Sequence, residues 1–401
     1  MIVQHNPPLH LAYCLNIHRG ESWGENFAAI RDRTVAVKQQ VASDQWFGMG
    51  LRLGHHAVTQ LLGDPALVDE AREFFAEHQL YPFSINGFPY GRFHQGTVKE
   101  NVYAPDWRSP ERRDYTMQLA DVFVQLLPPS VDGSISTVPG SFRPWIESDN
   151  DKIVMAKNLA AVVAYFAAVR DDTGQEIHLG LEPEPDCFLE TTGDAIVYYE
   201  DFLLRSGLDE LQRIVGCSRG QAEEIMRRHL GICFDTCHVA LAFEDLVESW
   251  RAYRGAGIRI SKVQLSAALH TESSPESWEA LKRFIEPVYL HQVKGLGRSG
   301  ARFAWFDLPD ALAEFPSFPD LEYLRVHFHV PLFFLGTGPL QSTSAELTPE
   351  FFQELRTGVC SHLEIETYTF HVLPSDVYPG DVVRSLTKEY AWVLQRLEGR
   401  P

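Results

Sequence analysis

The stretch GICFDTCHVAL, Gly231 to Leu241, begins as a buried strand, with Ile232, Cys233 and Phe234 in succession. With no turn residue between, it then presents Asp235 and, three positions on, His238, before returning to apolar Val239, Ala240 and Leu241. Parallel strands buried on both faces read as short apolar runs of this kind. A carboxylate and an imidazole at the end of such a run need a reason. Asp235 suits two roles, the N-cap of a helix starting at Thr236 or a metal ligand at a strand end. His238 is either a ligand or substrate contact, or a satisfied histidine in the first turn.

Eight other runs are strand-like: 9–18, 47–54, 81–87, 133–140, 176–184, 259–266, 323–331 and 362–370. Helical patterns separate several of them. Ser22 and Glu25 form a capping-box signature ahead of Trp23, Phe27, Ile30, Val37 and Val41. The stretch 151–170 is strongly apolar, and 274–285 and 348–359 have capped starts. Alternation of strand and helix over this length predicts an α/β fold, a (β/α)8 TIM barrel with an insertion late in the chain. We expect one domain over 1–401 with the insertion around 267–361. Nine strand candidates are one too many for the barrel. YLRVHFHVP (323–331) is the candidate for inserted structure, and Gln264 is then expected to end the seventh barrel strand.

Composition narrows the function. The chain has 401 residues, 45% hydrophobic and 22% charged, with 54 acidic against 35 basic residues and a formal net charge of −19. That sign repels phosphate backbones, so no nucleic-acid partner is expected. No run of eighteen apolar residues occurs, so no membrane insertion is expected, and the start MIVQHNPPLH lacks a secretory pattern. Six cysteines with no CxxC pair read as reduced thiols of a cytoplasmic protein. The expected partner is a small-molecule substrate.

Polar residues recur on one face at strand ends. Alternation pairs Glu182 with Glu184, Lys262 with Gln264 and Ser266, His327 with His329, and Glu364 with Glu366. In a barrel the apolar face meets the helices and the other face opens onto the mouth. Carboxylates, an amide and imidazoles together suit a divalent metal ion: Mn, Mg, Co or Zn. Each residue also has a plainer reading. Gln264 can hydrogen-bond inside the barrel, and His327 and His329 can be satisfied core histidines.

The order of Glu182 after an apolar strand, FDTCH, KVQLS and LEIET resembles the xylose-isomerase-like TIM-barrel superfamily. The resemblance implies a metal held by Glu182, Asp235, Gln264 and Glu364, with His238 as the histidine of a DxxH motif. Gln264 stands where many members have histidine. A narrower resemblance runs through YCLNIHRGESW, LRLGHHA, INGFPYGRFH, VKENVYAPDW, GSISTVPGSF, YLHQV and RVHFHVPLF. These stretches are similar to the EboE family of metabolite-traffic proteins in ebo-type secondary-metabolite clusters. That implies a small-molecule role without specifying a reaction.

His18 and Arg52 end the first two strands, where barrel enzymes place substrate contacts, and Asn86 ends the third. His94 follows in a loop long enough to fold over the mouth, and Trp107 and Trp145 either cover the mouth or pack under a loop. Substrate contacts are thus expected at His18, Arg52, Asn86, His94, His238 and His329. The expected activity is isomerisation or epimerisation of a sugar-like metabolite, with Glu182 and Glu364 as base and acid beside a carbonyl. The alternatives are a non-catalytic metabolite-binding protein and a phosphoester hydrolase of the endonuclease IV type.

Overall fold

The computed structural model describes residues 1–91, 99–287, 289–370, 373 and 380–399. Eight parallel strands form the barrel: β1 (Pro8–Tyr13), β2 (Phe47–Arg52), β3 (Leu80–Asn86), β4 (Gly133–Thr137), β5 (Ile177–Leu181), β6 (Leu230–Asp235), β7 (Arg259–Leu265) and β8 (His362–Ile365). Each pairs in parallel with the next from β2 to β8, and β8 pairs in parallel with β1. A bridge between Cys14 and Gly50 closes β1 onto β2. A further strand, Ile2–His5, pairs antiparallel with β1. Gln264 does lie near the end of the seventh barrel strand, hydrogen-bonded in register between Asp235 and Glu364.

YLRVHFHVP lies outside the barrel. Between β7 and β8 the chain builds a second, antiparallel sheet of six strands, in the order Arg302–Trp305, Val293–Gly297, Leu321–Val326, Leu269–Glu272, Leu340–Ser342 and Gly336–Thr337. Its third strand stops at Val326, so His327 and His329 sit just beyond it, where Val330 N–H donates to the Ala267 carbonyl at the barrel mouth.

Helices cover the barrel. The capping box at Ser22 and Glu25 starts a helix at Trp23. The helix Asp149–Thr173 is long and apolar enough to cross a membrane by length and composition. Here Met155, Leu159, Val163 and Phe166 are buried, and the helix packs against β5 and neighbouring helices.

The barrel interior is filled in layers, as close packing requires. At the N-terminal end His10, Phe83, His178 and His362 form an aromatic plug. Above it Lys262 Nζ lies 3.2 Å from Glu364 Oε2 and donates to Ser136 Oγ at 3.0 Å. Gly50 makes room for this pair, since a Cβ there would fall 2.4 Å from the Glu364 carboxylate. The next layer toward the C-terminal end is the mouth.

Candidate active site

Glu182, Asp235 and Glu366 converge at the mouth, each offering a carboxylate oxygen within 4.8 Å of the others. They are 4%, 1% and 4% exposed. Glu182 follows β5 directly and Asp235 ends β6. Glu366 follows β8, where its N–H continues the ladder to the Leu265 carbonyl. Gln264 stands among the three. Its Nε2 donates to Glu182 Oε1 at 3.0 Å, to Asp235 Oδ2 at 3.2 Å and to Glu366 Oε2. Glu366 also accepts from Asn16 Nδ2 at 2.5 Å and Asn86 Nδ2 at 3.3 Å.

Asp235 fills both roles open to it. Its Oδ1 caps the helix Thr236–Leu241, accepting from Cys237 N–H at 2.7 Å and His238 N–H at 3.2 Å, and from Ser266 Oγ at 2.6 Å. Its Oδ2 turns to the carboxylate cluster. Burial works against its charge, but His238, His329, the Ser266 hydroxyl and the cap outweigh it, and its pKa lies below the ordinary aspartate value. Burial, reinforced by Asp235, pushes Glu182 well above the usual carboxylate range, and burial with Glu182 and Asp235 does the same to Glu366. Three carboxylates this close cannot all be ionised without a cation among them.

The donor set fits one. Glu182 Oε2 is buried with no hydrogen-bond partner among the described residues. The Gln264 amide oxygen accepts from the Cys233 thiol. A half-turn of that amide exchanges oxygen and nitrogen, turning the oxygen into the cluster and leaving the nitrogen to the sulfur. The set would then be all oxygen, which suits hard divalent ions.

Glu182 and Glu366 line a small pocket at the mouth, and Asp235 and Gln264 lie behind them, joined to them through the Gln264 amide. Phe88, Tyr103, Tyr289 and Tyr368 supply aromatic walls. Glu184, two residues past Glu182, also lines it and accepts from the Tyr103 hydroxyl at 2.9 Å. Burial pushes Glu184 up to about 8 although that hydroxyl opposes the shift.

The other expected residues divide. Asn86, His238 and His329 line the pocket. Glu364 does not join Glu182 and Asp235, because Lys262 holds it deeper in the barrel. His18 hydrogen-bonds the Tyr13 hydroxyl at 3.0 Å and faces a separate cleft with Arg33. Arg52 binds the Gly20 carbonyl and Glu21, at 2.7 Å, tying down the loop after β1 away from the pocket lining. His94 lies outside the described residues. Trp107 is fully buried. Tyr103 and Tyr289 lie outside every strand-like run, and Asn16 and Tyr368 lie inside the runs 9–18 and 362–370 without standing out there as site residues. Glu366 and Glu184 do stand out, through their partners two residues away.

No family model matches the chain, and no curated protein matches it in sequence. Solved structures do match. A xylose isomerase-like TIM barrel protein from Mycobacterium smegmatis, in complex with magnesium, superposes with a TM-score of 0.51 at 10% identity, over 98% of this chain and 97% of that one. The probable 3-DHS dehydratase AsbF of petrobactin synthesis from Bacillus anthracis gives 0.47 at 13%, over 96% and 98%. The IOLI protein with a bound zinc atom gives 0.46 at 13%, over 97% and 99%. At these identities the likeness is one of fold, and the fold is the TIM barrel.

Proposed function

We propose that the protein is a metal-dependent isomerase or epimerase of a polyhydroxylated small molecule, moving a proton at the carbon beside a carbonyl. The observation that carries this reading is the convergence of Glu182, Asp235 and Glu366 at the barrel mouth, with Gln264 among them. These four would hold the cation, Glu366 taking the place expected of Glu364. A bound divalent ion supplies positive charge where an oxyanion develops.

The chain's own groups do the rest. Glu182 and Glu366 follow β5 and β8, which β6 and β7 separate, so the two carboxylates reach the pocket from different sides. One takes the proton and the other returns it. Asn16 and Asn86 hold Glu366 in place through its Oε1. Glu184, with its pKa near 8, keeps a proton at neutral pH and can donate a hydrogen bond to a ligand hydroxyl. The aromatic walls exclude water from the reacting carbon. The narrower placement, as an EboE-type protein of a cytoplasmic secondary-metabolite pathway, is supported by the sequence stretches alone.

The test begins with a thermal-shift screen of sugars and cluster metabolites on metal-loaded protein, followed by deuterium uptake from D₂O into each ligand that binds. Wild type is expected to exchange. Glu182→Gln and Glu366→Gln are expected to lose about 10²–10⁴ in exchange rate. A ligand that binds tightly to the loaded wild type and never exchanges would make the protein a carrier for that ligand.

A further inference from the structure

The pocket that two of the carboxylates line also holds a cation of the chain's own. Among the described residues that line it, Lys99 is the one cationic side chain. Burial pushes His238, His327 and His329 below the ordinary histidine value, so these lining imidazoles are neutral at neutral pH. Glu182 and Glu366 are each 4% exposed, whereas the Lys99 side chain is 37% exposed. The carboxylates therefore mark the inner end of the pocket and the ammonium its rim.

Lys99 opens a one-turn helix, Lys99–Tyr103, that also brings Val102 and Tyr103 into the lining. The far end of that turn is fixed. The Tyr103 hydroxyl donates to Glu184 Oε1 at 2.9 Å and accepts from Gln292 Nε2 at 3.2 Å. At the near end Lys99 has a φ of 40°, in the left-handed region that residues with a Cβ enter at a cost. Its Nζ donates to Asp307 Oδ2 at 3.2 Å. Asp307 also caps the helix Leu308–Glu314, its Oδ1 accepting from Leu308 N–H at 2.9 Å and from His291 N–H at 3.1 Å. This pair positions the ammonium and uses one of its three donors. Among the described residues no other acceptor takes the remaining two. Other buried lysines differ. Lys262 is held by Glu364 and Ser136 inside the barrel, and Lys294 by Asp186 and Glu190 at 2.7 and 2.5 Å. Each of those is satisfied by the protein itself.

We propose that Lys99 recognises a carboxylate on the substrate, and that the pocket takes a small polyhydroxylated acid in preference to a neutral sugar. The proposal rests on the isomerase reading of this site and adds the class of its substrate. The acid turns its carbonyl and hydroxyl oxygens toward Glu182 and Glu366 and leaves its carboxylate at the rim, with the aromatic walls between. In a chain of net charge −19, an anionic ligand needs a local cation to enter. A single ammonium matches a single negative charge. A phosphate dianion calls for more donors, an arginine fork or a nest of backbone N–H groups. No arginine lines the pocket among the described residues. The acidic inner end also opposes a second negative charge.

The test measures binding to the full chain loaded with Mn²⁺, by calorimetry. The matched probes are D-glucuronate with D-glucose, and D-gluconate with D-glucitol, with glycerophosphate as the phosphate probe. Wild type is expected to bind at least one acid about 10–100-fold more tightly than its neutral partner, the worth of a hydrogen bond to a charged group. Lys99→Met keeps the stem and is expected to erase that preference by weakening the acid, with the neutral partner moved far less. Lys99→Arg keeps the charge and is expected to retain it. Asp307→Asn still caps its helix and removes the competing charge, so it is expected to widen the preference. A wild type that binds neither acid more tightly than its neutral partner would overturn the proposal. So would an equal loss for acid and neutral partner in Lys99→Met, which would leave the lysine as a tie for its loop. Tighter binding of glycerophosphate than of either acid would overturn the carboxylate assignment. The isomerase reading fails separately: an acid held through Lys99 that never takes up deuterium keeps this site and removes that reaction. A neutral sugar that exchanges while neither acid binds better keeps the reaction and removes this site.

Discussion

At the scale of single residues, position along the barrel axis decides chemistry. Glu364 and Glu366 share a face and differ by one layer. The lower is neutralised by Lys262 and the upper is open to the pocket. Alternation in the sequence marks both but does not rank them in depth, because depth depends on the stagger of β8 against β7, which no local pattern encodes. The same limit hides the role of Lys262, which reads only as a polar neighbour of Gln264. Breaking a buried ion pair from one side leaves an uncompensated charge. Lys262→Met is therefore expected to destabilise the fold by about 3–5 kcal/mol. The double variant Lys262→Met, Glu364→Gln should recover much of that, as read by denaturant unfolding. Equal losses in the single and double variants would show that the pair carries no coupling.

At the scale of elements, the eight barrel strands are legible because parallel strands are apolar runs, each held to length by a polar end. The inserted sheet is not. Its strands Val293–Gly297, Leu340–Ser342 and Gly336–Thr337 are short or glycine-bearing, and only the run at 323–331 stands out. Its junction with the barrel offers a second test. Glu389, on the helix Val382–Leu397, accepts from the Leu332 N–H of the insertion at 3.0 Å and from the Thr367 hydroxyl after β8 at 2.7 Å. Burial raises its pKa from 4.5 to about 7, against both hydrogen bonds. Between those values the folded chain holds a proton that the unfolded chain has released. This group's contribution to stability therefore falls as pH rises from about 4.5 to about 7, and is constant above. Glu389→Gln keeps an acceptor oxygen and removes the titration. Its melting temperature relative to wild type should climb across that window, by the equivalent of at most about 3 kcal/mol. A difference that stays flat with pH would assign the raised pKa no energetic weight.

At the scale of the whole molecule, the pocket draws on Asn16, Asn86, Tyr103, Glu182, His238, His327 and Glu366, residues spread along nearly the full sequence. A cation bound there is bound only by the folded state, so it must stabilise that state by mass action. An excess of about 100 times the dissociation constant adds about 2.7 kcal/mol. Chelator-treated protein is expected to melt earlier than manganese-loaded protein, with the gap smaller in Asp235→Asn. Coincident melts of stripped and loaded wild type would count against any cation in the mouth. The barrel and the strand-end placement of Glu182, Asp235 and Gln264 follow from sequence alone. The walls that complete the pocket depend on loops that only the closed fold brings together.

The six-stranded insertion leaves β7 at the mouth and hands the chain back to the ordinary crossover helix, Pro349–Leu355, which then feeds β8. Barrel register on either side is carried by the parallel pairing of β7 with β6 and β8, and the interval between Ala267 and Leu347 adds no strand to it. A different roof in that interval is expected to change the pocket's choice of ligand, since Tyr289, His327 and His329 come from it, and it would also have to replace the contacts of His329 to the Glu366 carbonyl and of Leu332 to Glu389.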